Sequence, residues 1–224
     1  MAEDKNSLQE QKEAGKASFF AEYGQRIKAF SKNARLYLLG SILLGIIMGV
    51  YRLLFNFYVL SLGFDQEVLG TLVSFNHSAS LFAALPAALL INKIGKRNAF
   101  IWGNVLTGLG IGIMLIFQTF PVFAAMSVVI GLGQTVSVVG LGPFLMENSS
   151  NYERTYLFSV ASGLNMTAAS IGEWVGGYMP TWFGGVLNVG STATPAYSAT
   201  LAVVSIGALF SLIPYLFIQE KSHK

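Results

Sequence analysis

The feature that most constrains this chain is a series of long apolar runs. Six runs are separated by short breaks, at residues 36–62, 66–91, 99–118, 121–146, 155–183 and 196–218. Each run approaches or exceeds the roughly 20 residues that a helix needs to cross about 30 Å of hydrocarbon. Only 11% of the residues are charged, against about a quarter in a soluble domain. The pattern predicts an all-α membrane protein with six transmembrane helices in one bundle.

Glycine recurs inside four of the predicted spans. The positions are 45 and 49 in the first; 108, 110 and 112 in the third; 131, 133, 140 and 142 in the fourth; and 172, 176 and 177 in the fifth. A residue without a side chain lets two helix backbones approach closely, which predicts a tightly packed bundle. The simpler interpretation is that membrane helices are generally rich in glycine.

The basic residues lie almost entirely on one predicted face of the membrane. Of the 14 Lys and Arg residues, seven precede residue 36, three lie between the second and third spans, one lies between the fourth and fifth, and two follow the sixth. The opposite connections, at residues 63–65, 119–120 and 184–195, have none. Because cytoplasmic loops carry the basic excess, both termini are predicted to be cytoplasmic. The expected location is a plasma membrane, in a bacterium the inner membrane.

Two polar tails flank the apolar region. Residues 1–35 are mixed in charge, and the run that follows is too long for the apolar part of a signal peptide. The aromatic residues of this tail recur at helical spacing, which fits a helix lying on the anionic inner leaflet, and a flexible tail is the alternative. Residues 219–224 are predicted to be a second cytoplasmic tail, the start of a central loop.

Several function classes are disfavoured by what the sequence lacks. Cysteine is absent, and His77 and His223 are far apart, so no metal site is predicted. No glycine-rich phosphate loop is present, and no cofactor or nucleic-acid partner is expected. An intramembrane serine protease would need a glycine-flanked serine and a histidine on a later helix. The nearest match, "VASG" at residues 160–163, lacks the first glycine, so we do not expect an enzyme.

A set of polar side chains is predicted to lie near the middle of the membrane. Counted from the outer ends of their spans, Arg52, His77 and Glu173 are roughly 15 Å deep. Three amide side chains fall close to the same layer: Asn56, Asn76 and Gln134. An ionised group at this depth costs about 3 kcal/mol or more, so we expect the set to face the bundle interior or a cavity.

Two interpretations of these mid-depth residues stay open. In the first they line a central cavity and bind a polar or anionic solute, with Glu173 or His77 able to carry a proton. In the second, Arg52 and Glu173 form a structural ion pair that orients the helices, and His77 is a hydrogen-bonded residue without a further role.

Two loop motifs resemble those of the major facilitator superfamily. The first is "PAALLINKIGKRNAF" at residues 86–100, which is similar to the family pattern G-x-x-x-D-R-x-G-R-K. Ala88 stands at the first glycine of that pattern, Asn92 at the aspartate and Lys93 at the arginine, and the closing triplet is Gly95-Lys96-Arg97. The second motif is "PFLMENSSNYERTYLFS" at residues 143–159, where Glu147 and Arg154 are spaced like the acid and base that close the fourth helix in many members.

The resemblance implies that residues 36–218 form the amino-terminal six-helix half, built from 3+3 inverted repeats, of a twelve-helix transporter. It implies secondary active transport of a small solute by alternating access, with H⁺ or Na⁺ as a possible coupling ion. The expected partners are the lipid bilayer, the solute and a second six-helix half, supplied by a separate chain or a missing carboxyl-terminal portion. A non-transporting scaffold or sensor and an inactive truncated fragment are the alternatives.

The resemblance also implies specific roles for single residues. The first and fifth helices of such a half pack together, which would allow Arg52 to pair with Glu173. A cytoplasmic gate would comprise Asn92, Lys93, Gly95, Lys96, Arg97, Glu147, Glu153 and Arg154, with Glu147–Arg154 as the favoured latch. The basic residues are alternatively only topology anchors. Two departures stand out: Asn92 cannot supply the family's gate carboxylate, and Ser127 replaces an arginine of many proton-driven exporters.

Overall fold

The computed structural model describes residues 30–151 and 153–220, and these residues are helical without any β-strand. Six long helices are present: α1 (Lys32–Ser61), α2 (Gln66–Ile94), α3 (Lys96–Ile116), α4 (Phe120–Glu147), α5 (Arg154–Leu187) and α6 (Thr194–Phe210). A short helix α7 (Ile213–Leu216) follows. The predicted all-α class is therefore confirmed for this part of the chain. Most of the amino-terminal tail and residues 221–224 lie outside the described residues.

Five helical segments of the described chain are long and apolar enough to cross a membrane. They are α1, α2, α3, α4 and the segment Thr194–Leu216, which joins α6 and α7. The remaining helix, α5, is the longest of all at 34 residues. It is rich in glycine, serine and threonine, which lower its hydropathy. Composition thus supports five crossings, one fewer than the predicted six.

The helix ends follow from local hydrogen bonding and backbone geometry. The helix α1 begins four residues before the predicted span because Ser31 caps it, its hydroxyl accepting from the Ala34 N–H at 3.2 Å. Asp65 caps α2 in the same way, accepting from the Val68 N–H at 2.8 Å. Glycines with positive φ make the turns at Gly63 (+86°) and Gly95 (+85°), a region that side chains rarely adopt. We name the two ends of the bundle after these turns.

The helices pack in a regular set of pairs. The most extensive contact joins α1 to α5, and α4 packs almost as extensively against α2 and α3. The helix α6 fills the other side, against α3 and α1. The bundle is thus closed on the side of α3 and α6, and α2 and α5 each leave one long face uncovered.

Glycine allows the α1–α5 contact to be very close. A Cβ on Gly49 would lie 2.1 Å from the carbonyl oxygen of Ala169, and a Cβ on Gly172 would lie 2.0 Å from that of Ile46. The prediction that glycines bring helices together is confirmed at these positions. It is wrong for Gly142, where a Cβ would meet nothing within 4 Å.

Aromatic side chains hold the Gly95 end together. Tyr37 of α1 lies 5.1 Å from Phe100 of α3 and 5.3 Å from Phe144 of α4, measured between ring centroids. Tyr215 of α7 packs on Phe100 at 5.4 Å. All four rings are buried. Because they come from four helices, their packing fixes the spacing of the helices around the space that they enclose.

Candidate functional site

Arg52 of α1 and Glu173 of α5 form an ion pair beside the close α1–α5 contact. The Arg52 guanidinium donates to Glu173 Oε1 from Nε at 2.8 Å and from Nη2 at 2.5 Å. The two residues are next to the glycine positions where the helix backbones touch, so their separation is fixed by the packing. The side chains are 67% and 39% exposed. The ion pair therefore lies on a surface that the helices of the described chain leave partly uncovered.

The other mid-depth residues take different positions. The Asn76 amide of α2 donates to the carbonyl oxygen of Ser127 on α4 at 3.1 Å and so ties these helices together. Asn56 and His77 are exposed on α1 and α2. Gln134 is partly buried in the wall of a cavity. Among the described residues the structure thus brings Arg52 and Glu173 into contact, and hydrogen bonds link none of the other four to that pair.

The cavity has a volume of about 430 Å³ and lies between α1, α3, α4 and α5, with α7 closing the Gly95 end. Its size is within the range of small-molecule sites. Its polar lining consists of amides and hydroxyls, and none of the described residues that line it is charged: Tyr37, Ser41, Leu44, Met48, Phe100, Asn104, Thr107, Gln134, Ser137, Val138, Leu141, Ala161, Ser162, Asn165, Met166 and Tyr215.

Some of these polar groups are already hydrogen-bonded and others are not. The Asn104 amide donates to Ser211 Oγ at 3.2 Å, and the Thr107 hydroxyl donates to the Gly103 carbonyl at 2.9 Å. Within the described chain, the Gln134 and Asn165 side chains make no hydrogen bond. A free amide offers two N–H donors and one acceptor oxygen, so both residues are able to bind a guest.

Ion pairs and hydrogen bonds link several elements at the Gly95 end. Lys96, at the start of α3, pairs with Glu147 at the end of α4. The Arg97 N–H donates to the Glu220 carboxylate at 2.9 Å, and the Arg97 guanidinium donates to the carbonyl oxygens of Tyr215 (3.3 Å) and Leu216 (2.7 Å). The segment after α6 is thereby fastened to the α2–α3 turn.

The remaining predicted gate residues contribute less to these links. Asn92 and Lys93 are exposed and line a second cavity, of about 490 Å³, at the Gly95 end. Glu153 accepts a bond from the nearby Ser150 hydroxyl at 2.9 Å. The Nε of Arg154 is buried without a hydrogen-bond partner, while Glu147 takes Lys96 as its ion-pair partner. The structure thus places six of the eight predicted residues at one end of α2, α3 and α4 and the other two at the start of α5.

Sequence reasoning missed the cavity amide Asn165 and the carboxylate Glu220. Asn165 follows Ser162 by about one helical turn and precedes Glu173 by about two turns on the same helix, a polar spacing that was visible in the sequence. Glu220 gave no such signal, because its contact with Arg97 joins residues 123 positions apart.

Comparisons with known proteins agree with this architecture. The family model described as Major Facilitator Superfamily matches residues 5–224. A relative from Xenopus tropicalis named solute carrier family 2, facilitated glucose transporter member 10, is 29% identical over 181 residues. The matched region covers 81% of this chain and 30% of that relative, so the chain spans less than a third of its length.

Proposed function

This chain belongs to the major facilitator superfamily and is an integral multi-pass membrane protein, and we propose that it is one six-helix half of a transporter. In this proposal it moves a small solute by alternating access, rocking against a second half around a site in the membrane. The second half is supplied by another chain or by a further part of a longer one. The family points to a transporter rather than to an enzyme.

The exposed ion pair between Arg52 and Glu173 is the observation that carries the proposal. Arg52 lies inside the apolar run of α1 and Glu173 lies inside α5, and 67% of the Arg52 side chain is uncovered. Charge facing hydrocarbon is costly, so the surface around the pair must meet water or protein. A second half that encloses an aqueous path supplies both.

The helix pairing supports an origin from two three-helix repeats. Exchanging α1 with α4, α2 with α5 and α3 with α6 turns the α1–α5 contact into the α4–α2 contact. The same exchange turns the α3–α4 contact into the α6–α1 contact. A 3+3 inverted repeat would produce this correspondence. It also requires α5 to cross the membrane, which makes six crossings with both termini on the cytoplasmic side.

The contacts at the Gly95 end fit a gate on that cytoplasmic side. Lys96–Glu147 and Arg97–Glu220 join the α2–α3 turn to α4 and to the segment after α6. Bonds of this kind bias a conformational equilibrium when they form in one state and break in the other. We assign the gate to these two contacts, with Asn92, Lys93, Glu153 and Arg154 at its edge.

Membrane topology can be tested by cysteine labelling, because the chain has no cysteine of its own. Ser150→Cys and Ser191→Cys place a single thiol on either side of α5. In intact cells a membrane-impermeant maleimide should label the Ser191→Cys variant and should label the Ser150→Cys variant only after permeabilisation. Equal labelling of both variants in intact cells would mean that α5 does not cross.

Transport itself is measured by counterflow of labelled solutes in membrane vesicles that contain the chain within its natural assembly. The relative's name describes facilitated transport, so uptake is compared with and without H⁺ and Na⁺ gradients to decide whether a coupling ion is used. We expect saturable flux that an Arg52→Gln substitution reduces at least about tenfold, which corresponds to a loss of about 1.4 kcal/mol. Unchanged flux in that variant would remove the pair from the mechanism.

A further inference from the structure

The ion pair continues the same helix faces that line the cavity. On α1, Leu44 and Met48 line the cavity, and Arg52 follows Met48 by four residues. On α5, Met166 lines the cavity, and Glu173 follows it by seven residues. Residues four and seven apart lie on one face of a helix. Arg52 and Glu173 therefore lie on the side of the cavity that faces the Gly63 end, one to two turns beyond its wall.

The cavity lining suits a guest that has hydroxyl groups and no charge. Gln134 and Asn165 offer amide donors and acceptors that are not used within the described chain, and the hydroxyls of Ser41 and Thr107 keep acceptor lone pairs. A carboxylate or ammonium group would lose its hydration here and gain no opposite charge from the lining. Neutral hydroxyl groups, which both donate and accept, match these partners.

The Arg52 guanidinium would attract an anion, but the Glu173 carboxylate compensates its positive charge. Two of the guanidinium N–H groups point at one Glu173 oxygen. An anionic solute near the pair meets the carboxylate as well as the guanidinium, so the two effects largely cancel. The guanidinium has five N–H donors, and those not directed at Glu173 remain able to donate to a hydroxyl.

We propose that the cavity and the ion pair form one site for an uncharged, hydroxyl-bearing solute, and that Glu173 determines this preference by neutralising Arg52. The proposal rests on the transport function proposed above and names the substrate class of that site. It narrows the expected polar or anionic solute to an uncharged one.

The test compares two probes of similar shape that differ in charge, D-glucose and D-glucuronate. Their binding to the full chain in lipid nanodiscs is measured by saturation-transfer NMR, which detects weak ligands. We expect a signal from D-glucose and none from D-glucuronate. In Glu173→Gln, which keeps a hydrogen-bond acceptor for Arg52 but removes the negative charge, D-glucuronate should bind at least about tenfold more tightly than in the unmodified chain, as an unmatched charge permits.

Two control variants test whether the increased affinity for D-glucuronate comes from the unpaired Arg52 guanidinium. The double variant Arg52→Gln/Glu173→Gln should lose the affinity for D-glucuronate, because no free guanidinium remains. Glu67→Gln removes an exposed carboxylate from the first turn of α2, outside the cavity lining, and should change the binding of neither probe. A cooperative thermal unfolding transition in all three variants would show that each is folded.

Three results would overturn the inference. They are equal binding of both probes to the unmodified chain, no increase in D-glucuronate affinity in Glu173→Gln, and failure of all three neutral probes (D-glucose, myo-inositol and glycerol) to bind. These outcomes are distinct from failure of the transport proposal. An assembly that carries D-glucuronate in an Arg52-dependent way would keep transport and refute the neutral solute. If the chain binds D-glucose but its assembly shows no flux, the inference of a neutral solute stands and the transport proposal fails.

Discussion

Gly49 and Ala169 are so close that a Cβ on the glycine would lie 2.1 Å from the alanine carbonyl oxygen. Neither atom can move away without separating the backbones of α1 and α5. The same contact positions Arg52 opposite Glu173, so helix packing and the charged pair depend on each other.

We therefore predict that Gly49→Ala destabilises the protein by about 1–3 kcal/mol, as overpacking usually does. In a chain of this size that corresponds to a fall in melting temperature of about 2–4 °C per kcal/mol, measured in detergent by tryptophan fluorescence. Gly163→Ala on α5 is the matched control, since a Cβ there would meet nothing within 4 Å. Equal melting temperatures for the two variants would contradict the close contact.

The Arg52–Glu173 pair can be tested for energetic coupling by a double-mutant cycle. Arg52→Gln and Glu173→Gln each leave one charge without its partner, whereas the double variant leaves none. We expect the losses in stability to be non-additive, with a coupling of about 1 kcal/mol for a pair this exposed. The free energies of unfolding are measured in the same detergent at low and high salt. Additive losses would show that the two residues do not interact.

Alanine substitutions at Gly95 and Gly63 distinguish backbone strain from overlap of the new Cβ with a neighbouring side chain. Both have φ near +85°, but a Cβ on Gly63 would meet nothing, while a Cβ on Gly95 would lie 2.4 Å from both carboxylate oxygens of Glu220. An alanine at either position should cost about 1–3 kcal/mol of backbone strain. Gly95→Ala should cost more in addition, because it displaces Glu220 from the first turn of α3.

The additional cost of Gly95→Ala should disappear when Glu220 is also changed to alanine. Melting temperatures of the single and double variants measure this difference. If Gly63→Ala and Gly95→Ala are equally destabilising, Glu220 does not cap α3 in the membrane-bound protein.

The sequence was most informative where one physical requirement dominates. Long apolar runs predicted the helices because hydrocarbon forces the backbone to satisfy its own hydrogen bonds. The partner of Arg52 could be predicted from the sequence because few carboxylates occur within the apolar runs. The contact between Arg97 and Glu220 and the hydrogen bond of Asn76 could not be predicted from the sequence. Each depends on how two distant helices are aligned, and one polar residue in a span carries no record of that alignment.

Gln134 and Asn76 provide the last prediction, because the two amides have the same chemistry but different partners. The Gln134 amide faces the cavity and makes no hydrogen bond within the described chain, whereas Asn76 donates to the Ser127 carbonyl. Gln134→Leu should weaken D-glucose binding about tenfold, as loss of one well-placed polar contact does, with little change in melting temperature. Asn76→Leu should lower the melting temperature by a few degrees, because it removes one hydrogen bond of about 1 kcal/mol, and should leave the affinity unchanged. Saturation-transfer NMR and thermal unfolding on the same samples measure both quantities. The opposite pattern would place the solute against α2 instead of in the cavity.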